Sequence, residues 1–453
     1  MACCAAVPSR AGTSISLAAL ESGSRQQKLT ALRALESGLR ADGWVRISWR
    51  PELTQSLYMQ SLAMLGNAAW CARYRREALA KAQEPKLGLS YLAIGDEPLY
   101  APTAKRQCVR SLNMHEDLTA SECDKRALSY DTGSYDETER ALAHSYHAWP
   151  SDEDTHALRE AARTFRAALI KEVARPLRRA LGALLGLRPE YFCARCDGRR
   201  SDNTSLVRVL EYPPCHSLPS TAEAPRRDVG RDGGINAHGG EDGGAESGSG
   251  RLTADWGVSE HTDFELFSLL HERCHGLQLC DPSGHWHQPA PVRQDDECGE
   301  RSEETARGSS RGRPDQDSWI LILGDMYARL SGGYLPATPH RVPPTAADAS
   351  RGRVACVFFQ GLDEAEAVAA VAPAVARRSA TGGYREWESA HAHRTASADG
   401  DGGETSRHPM TQREWTEWKE LAARDRLQRM QGPNAQGTLS KAKGPQNDDR
   451  RVP

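Results

Sequence analysis

The sequence predicts an α+β protein, an antiparallel sandwich or jelly roll in its C-terminal half with helices from the N-terminal half packed outside it. Three observations predict this. Apolar residues recur at helical spacing through Leu184, short strand patterns replace them from Leu206 onward, and turn residues mostly separate those strands. A chain of 453 residues has room for such a core and for insertions within it.

Ile15–Leu20 reads as a first strand-like piece. Residues 26–48 give a helix, carried by Leu29, Leu32, Leu35 and Leu39, and then a short strand at Trp44–Ile47. Residues 51–82 read as a further helical stretch, and residues 83–150 as mixed and loop-rich, ending at Trp149 and Pro150. The clearest helix begins near Asp154. Its Leu158, Ala162, Phe165, Leu169, Val173, Leu177, Leu181 and Leu184 recur at steps of three and four, which makes one apolar face. Pro176 should kink that helix, and Gly186 lies where a stop is expected.

Strands are then predicted at Leu206–Tyr212, Glu265–Leu270, Leu277–Cys280, Trp286–Val292, Trp319–Leu323, His340–Val342 and Val354–Phe359. Two segments interrupt them. Residues 216–252 are rich in Gly, Ser, Asp and Arg, and residues 293–317 are charged; neither has the apolar surface to fold, so both predict disordered insertions. A third such stretch covers about residues 393–410. Three regions follow: an N-terminal helical region at 13–200, a core at 201–365, and a polar tail at 366–453 in which Trp415, Trp418, Leu421 and Leu427 pattern a helix over 411–430.

Net charge is −3, so no basic excess suits the chain to nucleic acid, and no apolar run approaches a membrane span. The 12 cysteines follow no framework spacing, which predicts free thiols in a reducing compartment. Cys193 and Cys196 form a lone CxxC without the second pair a zinc site needs. The first twenty residues lack acid, a hint of a transit peptide, but the leader before Ile15 is short; a cytoplasmic monomer is expected.

The chemistry centres on His261-Thr262-Asp263 and, much later, His340. Residues two apart in extended chain point to the same side, so His261 and Asp263 can face one ion. A second imidazole from a neighbouring strand completes two nitrogens and one carboxylate on one face of an octahedron, a site that suits non-haem Fe(II). Taken alone, the same residues read more readily as a polar strand end and a cap. His285 and His287, either side of Trp286 after a Pro-Ser-Gly turn, read as a hairpin surface.

The surroundings narrow the choice. LVRVLEYPP at 206–214, GVSEHTDFELFSLL at 257–270, GLQLCDPSGHW at 276–286, WILILGDMYARLSGGYLPATPHRV at 319–342 and RVACVFF at 353–359 occur in this order. Together they closely resemble the isopenicillin N synthase-like family of Fe(II)/2-oxoglutarate-dependent oxygenases, over most of residues 13–365. The resemblance implies a double-stranded β-helix core, a distorted jelly roll. It implies iron held by His261, Asp263 and His340, with Arg353 pairing with the distal carboxylate of 2-oxoglutarate and Tyr212 hydrogen-bonding the same group. It also implies O2 as oxidant, a small-molecule substrate oxidised at a C–H bond, release of succinate and CO2, and no catalytic residue beyond the metal centre.

Three features depart from the family pattern. Ala355 stands where a serine is usual, Leu210 stands where an asparagine is common, and the gap from Asp263 to His340 is long, which the insertion at 293–317 accounts for. The first two touch the cosubstrate site. They keep open an iron oxidase that uses no 2-oxoglutarate, and the fold alone keeps open a non-catalytic binding protein. Arg351 could replace Arg353 only through a two-residue shift that spoils the match at Phe358 and Phe359. Gly324 and Asp325 resemble a structural turn before the strand leading to His340, and Phe264 and Glu265 follow the ligand pair closely enough to approach substrate.

Overall fold

The computed structural model describes residues 7–80, 89–96, 107–116, 149, 153–196, 205–213, 257–272, 276–290, 318–343 and 352–362. The predicted insertions, the tail with its helix at 411–430, and Arg351 lie outside the described residues.

Helices cover one face of the larger of two sheets. They are α1 (Leu17–Glu21), α2 (Arg25–Ala41), α3 (Pro51–Gly66), α4 (Ala68–Ala80), α5 (His156–Leu169), α6 (Arg175–Leu184), α7 (Tyr191–Cys196) and α8 (Asp325–Leu330). The strands are β1 (Ser9–Arg10), β2 (Thr13–Ile15), β3 (Trp44–Ser48), β4 (Leu89–Leu92), β5 (Arg110–Met114), β6 (Leu206–Tyr212), β7 (Val258–His261), β8 (Phe267–Glu272), β9 (Gln278–Cys280), β10 (Trp286–Pro289), β11 (Ser318–Leu323), β12 (His340–Val342) and β13 (Arg353–Gln360). Eight form a sheet in the order β2-β3-β11-β8-β13-β6-β5-β4, and five form a second in the order β1-β10-β9-β12-β7. The residues before Leu206 therefore supply strands to both sheets as well as helices.

Strand alternation explains the layers. In β11, Trp319, Leu321 and Leu323 join the core beneath the helices, whereas Ile320 and Ile322 join a second cluster with Val258, Leu279 and Val342 from the smaller sheet. Both faces of β11 are buried, so it reads as an unbroken apolar run. The helix-side core is anchored by Trp49, Phe165 and Trp319, whose ring centroids are 5.3 to 6.1 Å apart. At roughly 25 cal/mol per Å2 of apolar surface, each such ring contributes a few kcal/mol.

Several local expectations need correction. The piece at Ile15–Leu20 is the end of β2 followed by α1; the Ser16 hydroxyl accepts from the Ala19 N–H and starts a helix where a strand was expected. The irregularity expected at Pro176 takes the form of a π-turn at Ile170–Ala174, directly before Pro176 in the first turn of α6. The strand expected at Glu265–Leu270 begins at Phe267, because the backbone before it serves another purpose, described below. The loop-rich reading of 83–150 missed β4 and β5, which extend the large sheet beyond β6. No helix of the described residues is long and apolar enough to cross a membrane.

Candidate metal centre

His261 ends β7 and His340 begins β12. The two strands are antiparallel neighbours in which these residues stand opposite each other, so both imidazoles leave the sheet on one face, their centroids 4.2 Å apart. Asp263 follows two residues after His261, with Oδ1 at 3.7 Å from His261 Nε2 and 3.6 Å from His340 Nε2. Among the described residues, these three form a group that could hold a metal, with one ligand atom from each lying within 4.8 Å of the others.

The backbone sets which ring nitrogens face inward. His261 Nδ1 lies 2.8 Å from the Ser259 carbonyl and His340 Nδ1 lies 3.1 Å from the Thr338 carbonyl. A carbonyl can only accept, so each Nδ1 carries the proton and each Nε2 presents its lone pair to the centre. Thr338 is fixed in turn, its hydroxyl donating to the Gly43 carbonyl at 2.6 Å and its N–H to Leu323 at 3.0 Å. Asp263 is 4 % exposed, and its Oδ2 is buried with no hydrogen-bond partner. Two inward lone pairs against a buried, incompletely satisfied carboxylate make a poor arrangement by themselves and a good one around a cation. The residues fit a divalent ion of the Fe(II) type.

The loop carrying Asp263 is tied down through its backbone. Asp325 N–H donates to the Asp263 carbonyl at 2.9 Å, Met326 N–H to Glu265 at 3.2 Å, and Gly324 N–H to Leu266 at 3.2 Å. The first turn of α8 thus spends its unsatisfied donors on this loop. A side chain at residue 324 is excluded, since a Cβ there would lie 2.1 Å from the Glu265 carbonyl oxygen. The glycine-aspartate turn noted in the sequence therefore positions a metal-ligand candidate.

Arg353 and Tyr212 stand opposite each other at one end of the β13–β6 ladder. Both are buried, and the Arg353 guanidinium lies 4.6 Å over the Tyr212 ring. Burial lowers the Arg353 pKa, while Tyr212 and Tyr58 act in the opposite direction. A Cβ at Gly276 would meet Arg353 Nη1 at 3.1 Å, and its φ of +146° also favours glycine. Gly276 was missed in the sequence; its place at the head of GLQLC was the available signal. Ala355 and Leu210, the two departures from the family pattern, are direct cross-strand partners inside the apolar cluster. One apolar pair therefore stands where two polar groups were expected.

The other candidates separate cleanly. His285 is exposed, as expected of a hairpin tip, but His287 is largely buried and bonded to Asp281 at 2.8 Å. Cys193 and Cys196 are buried in α7, and none of the six described cysteines is in a disulfide.

Comparison with solved structures adds a common architecture. A full-length Neurospora crassa protein solved with alpha-KG and thymine superposes with a TM-score of 0.52 at 15 % identity, over 92 % of this chain and 96 % of its own. A Caulobacter crescentus protein assigned to the 2OG-Fe(II) oxygenase family gives 0.51 at 16 % identity, over 86 % and 93 %. The chain shares its fold with these two proteins. At the sequence level, a probable iron/ascorbate oxidoreductase of Dictyostelium discoideum is 24 % identical over 159 residues, 35 % of this chain. The match spans 31 % of that relative's length. No protein-family model matches the chain.

Proposed function

We propose that the protein is an Fe(II)- and 2-oxoglutarate-dependent oxygenase that oxidises a C–H bond of a small organic substrate, with release of succinate and CO2. On this reading the two sheets are the walls of a double-stranded β-helix. The observation that carries it is the convergence of two backbone-fixed imidazoles on a buried carboxylate whose Oδ2 has no hydrogen-bond partner. His261, Asp263 and His340 would hold the iron, which when bound supplies the O2 activation for substrate oxidation.

The chain's own residues do the rest. Carbonyls of Ser259 and Thr338 hold each imidazole in the tautomer that can ligate. Arg353, with its planar fork, would take the distal carboxylate of 2-oxoglutarate, and the Tyr212 ring supports the guanidinium from below. The apolar cluster around Ala355 excludes water from that pair. A second reading, an iron oxidase that needs no 2-oxoglutarate, draws on the apolar Ala355–Leu210 pair.

The test is anaerobic loading with Fe(II), followed by calorimetric titration with 2-oxoglutarate and then oxygen exposure with a metabolite screen. Saturable binding and succinate release coupled to oxygen uptake are expected. Iron binding with no 2-oxoglutarate binding would move the assignment to the oxidase, and no iron binding would overturn both.

A further inference from the structure

The peptide that aims His340 is gripped from two sides. On one side the Gly43 carbonyl accepts from the Thr338 hydroxyl at 2.6 Å. On the other the Cys280 N–H donates to the Pro339 carbonyl at 2.9 Å. Between them lies the Thr338 carbonyl that His340 Nδ1 meets at 3.1 Å. The Thr338 N–H bond to Leu323 belongs to the preceding peptide, so the direction of that carbonyl is left to these two contacts. They come from turns far apart in the chain, one at Asp42-Gly43 after α2 and one at Cys280-Asp281 after β9.

Each turn carries a buried carboxylate beside the group that does the gripping: Asp42 is 7 % exposed and Asp281 8 %. Arg10 reaches both. Its Nη2 lies 2.7 Å from Asp42 Oδ1 and its Nη1 lies 3.6 Å from Asp281 Oδ2. The backbone around Arg10 is fixed independently. Ala290 N–H donates to the Arg10 carbonyl at 2.7 Å, Gln288 N–H to Pro8 at 3.0 Å, and Arg46 Nε to the Ala11 carbonyl at 2.7 Å. Asp42 also closes α2 at its C-terminus, where the helix dipole disfavours a carboxylate. Without a cation between them, two poorly solvated carboxylates repel and the turns part. Gly43, at a φ of +82°, has the backbone that follows most easily.

We propose that Arg10 is a positioning residue of the metal centre: standing between Asp42 and Asp281, it keeps closed the two turns that hold Thr338 and Pro339, and so aims His340 Nε2 at the ion. The proposal rests on the metal-binding reading above. Arg10 touches none of the three ligand candidates and acts only through the peptide before His340. The competing role is an ion cluster that stabilises the fold and leaves the metal site untouched.

The test uses the full chain with Co(II) as the probe, its affinity measured by competition with a chelating dye and its site by visible absorption. In Arg10→Gln the affinity should fall about tenfold, the lower end of the effect of partners behind metal ligands. The Co(II) absorption should change with it as His340 turns. Arg10→Lys, which keeps the charge, should lie between wild type and Arg10→Gln. In Arg10→Gln/Asp281→Asn the repulsion is gone, and most of the lost affinity should return. Arg179→Gln, which breaks an exposed pair with Glu190, should leave both readouts unchanged. Lower urea stability in Arg10→Gln with unaltered Co(II) affinity and absorption overturns the proposal, as does a double variant that binds no tighter than Arg10→Gln. If Arg10→Gln does not fold, Thr338→Val decides: it keeps the charges and removes only the hydroxyl to Gly43, and unchanged Co(II) binding there overturns the proposal. A wild type that binds no Co(II) overturns the metal-binding reading as well, whereas a wild type that binds it with no response in Arg10→Gln overturns the role of Arg10 alone.

Discussion

Two clusters of two histidines and one aspartate occur among the described residues, and they behave oppositely. Asp281 sits in a hairpin between His285 and His287, and both its oxygens are committed. Oδ1 accepts from the N–H groups of Ser283 and His285 at 2.9 and 3.0 Å, and Oδ2 meets His287 Nε2 at 2.8 Å and Arg10 at 3.6 Å. Asp263 has a buried oxygen with no such partner, and the two imidazoles beside it are bonded through their far nitrogens. The same residue types therefore make a structural knot in one place and a candidate ligand set in the other. What separates them is the direction in which the backbone has already spent each side chain's hydrogen bonds.

The largest expected effect comes from exchanging roles across this comparison. Asp263→Ala should reduce Fe(II) affinity by at least about a hundredfold, since even supporting partners of metal ligands are worth 10- to 100-fold, and should leave the fold intact by circular dichroism. Asp281→Ala should keep full iron occupancy by metal analysis. Normal iron content in Asp263→Ala would mean that the carboxylate plays a knot-like role too.

Next in size is Arg353→Ala. Removing one partner of a buried, hydrogen-bonded charge pair costs about 2–5 kcal/mol, so 2-oxoglutarate binding to the Fe(II)-loaded protein should weaken by roughly thirtyfold or more. Calorimetric titration checks this, and an unchanged affinity would place the cosubstrate elsewhere. Ala355→Ser is the small counterpart. A restored hydroxyl is worth about 1 kcal/mol at most, and less here because it would face Leu210.

Gly324→Ala probes the support of Asp263 without touching a ligand. A Cβ there collides with backbone, so the Asp263 loop must shift. A stability loss of about 1–3 kcal/mol is expected together with weaker Fe(II) binding. Lost stability with unaltered metal affinity would show that the loop is not held by α8.

The smallest expected effect belongs to the knot. Burial pushes the Asp281 carboxyl up, but the N–H groups of His285 and Ser283 and the His287 ring outweigh it, and the pKa is lowered. A carboxyl lowered in the folded state stabilises the protein above its unfolded pKa of about 3.9, and that contribution is lost as pH falls through the folded value. Asp281→Asn should therefore cost about 1–2 kcal/mol at pH 7, and its difference from wild type should shrink below about pH 4. Urea unfolding at both pH values measures this; a gap that does not change with pH would remove the charge from the explanation.

The strands of the inner core were legible because their pattern is local: Ser318–Leu323 is apolar at nearly every position, and Arg353–Gln360 differs from its predicted range only at the ends. Leu89–Leu92 and Arg110–Met114 were not legible, because LSYL and RSLNM are short and acquire strand character only by pairing with each other and with β6. His261, Asp263 and His340 could be named from spacing and from the surrounding motifs. Their tautomers could not, because the Ser259 and Thr338 carbonyls become partners only after the chain has turned.

By itself the sequence determined the helix faces, most strand positions and the three residues that converge, since periodicity and side-chain type are properties of neighbours along the chain. Tertiary structure alone decided that His287 closes a knot while His261 turns its Nε2 toward Asp263. It also decided that Ala355 and Leu210 are one substitution rather than two. These depend on turn geometry and on strand register, which pairs residues as distant as Leu210 and Ala355, and no local pattern carries that information.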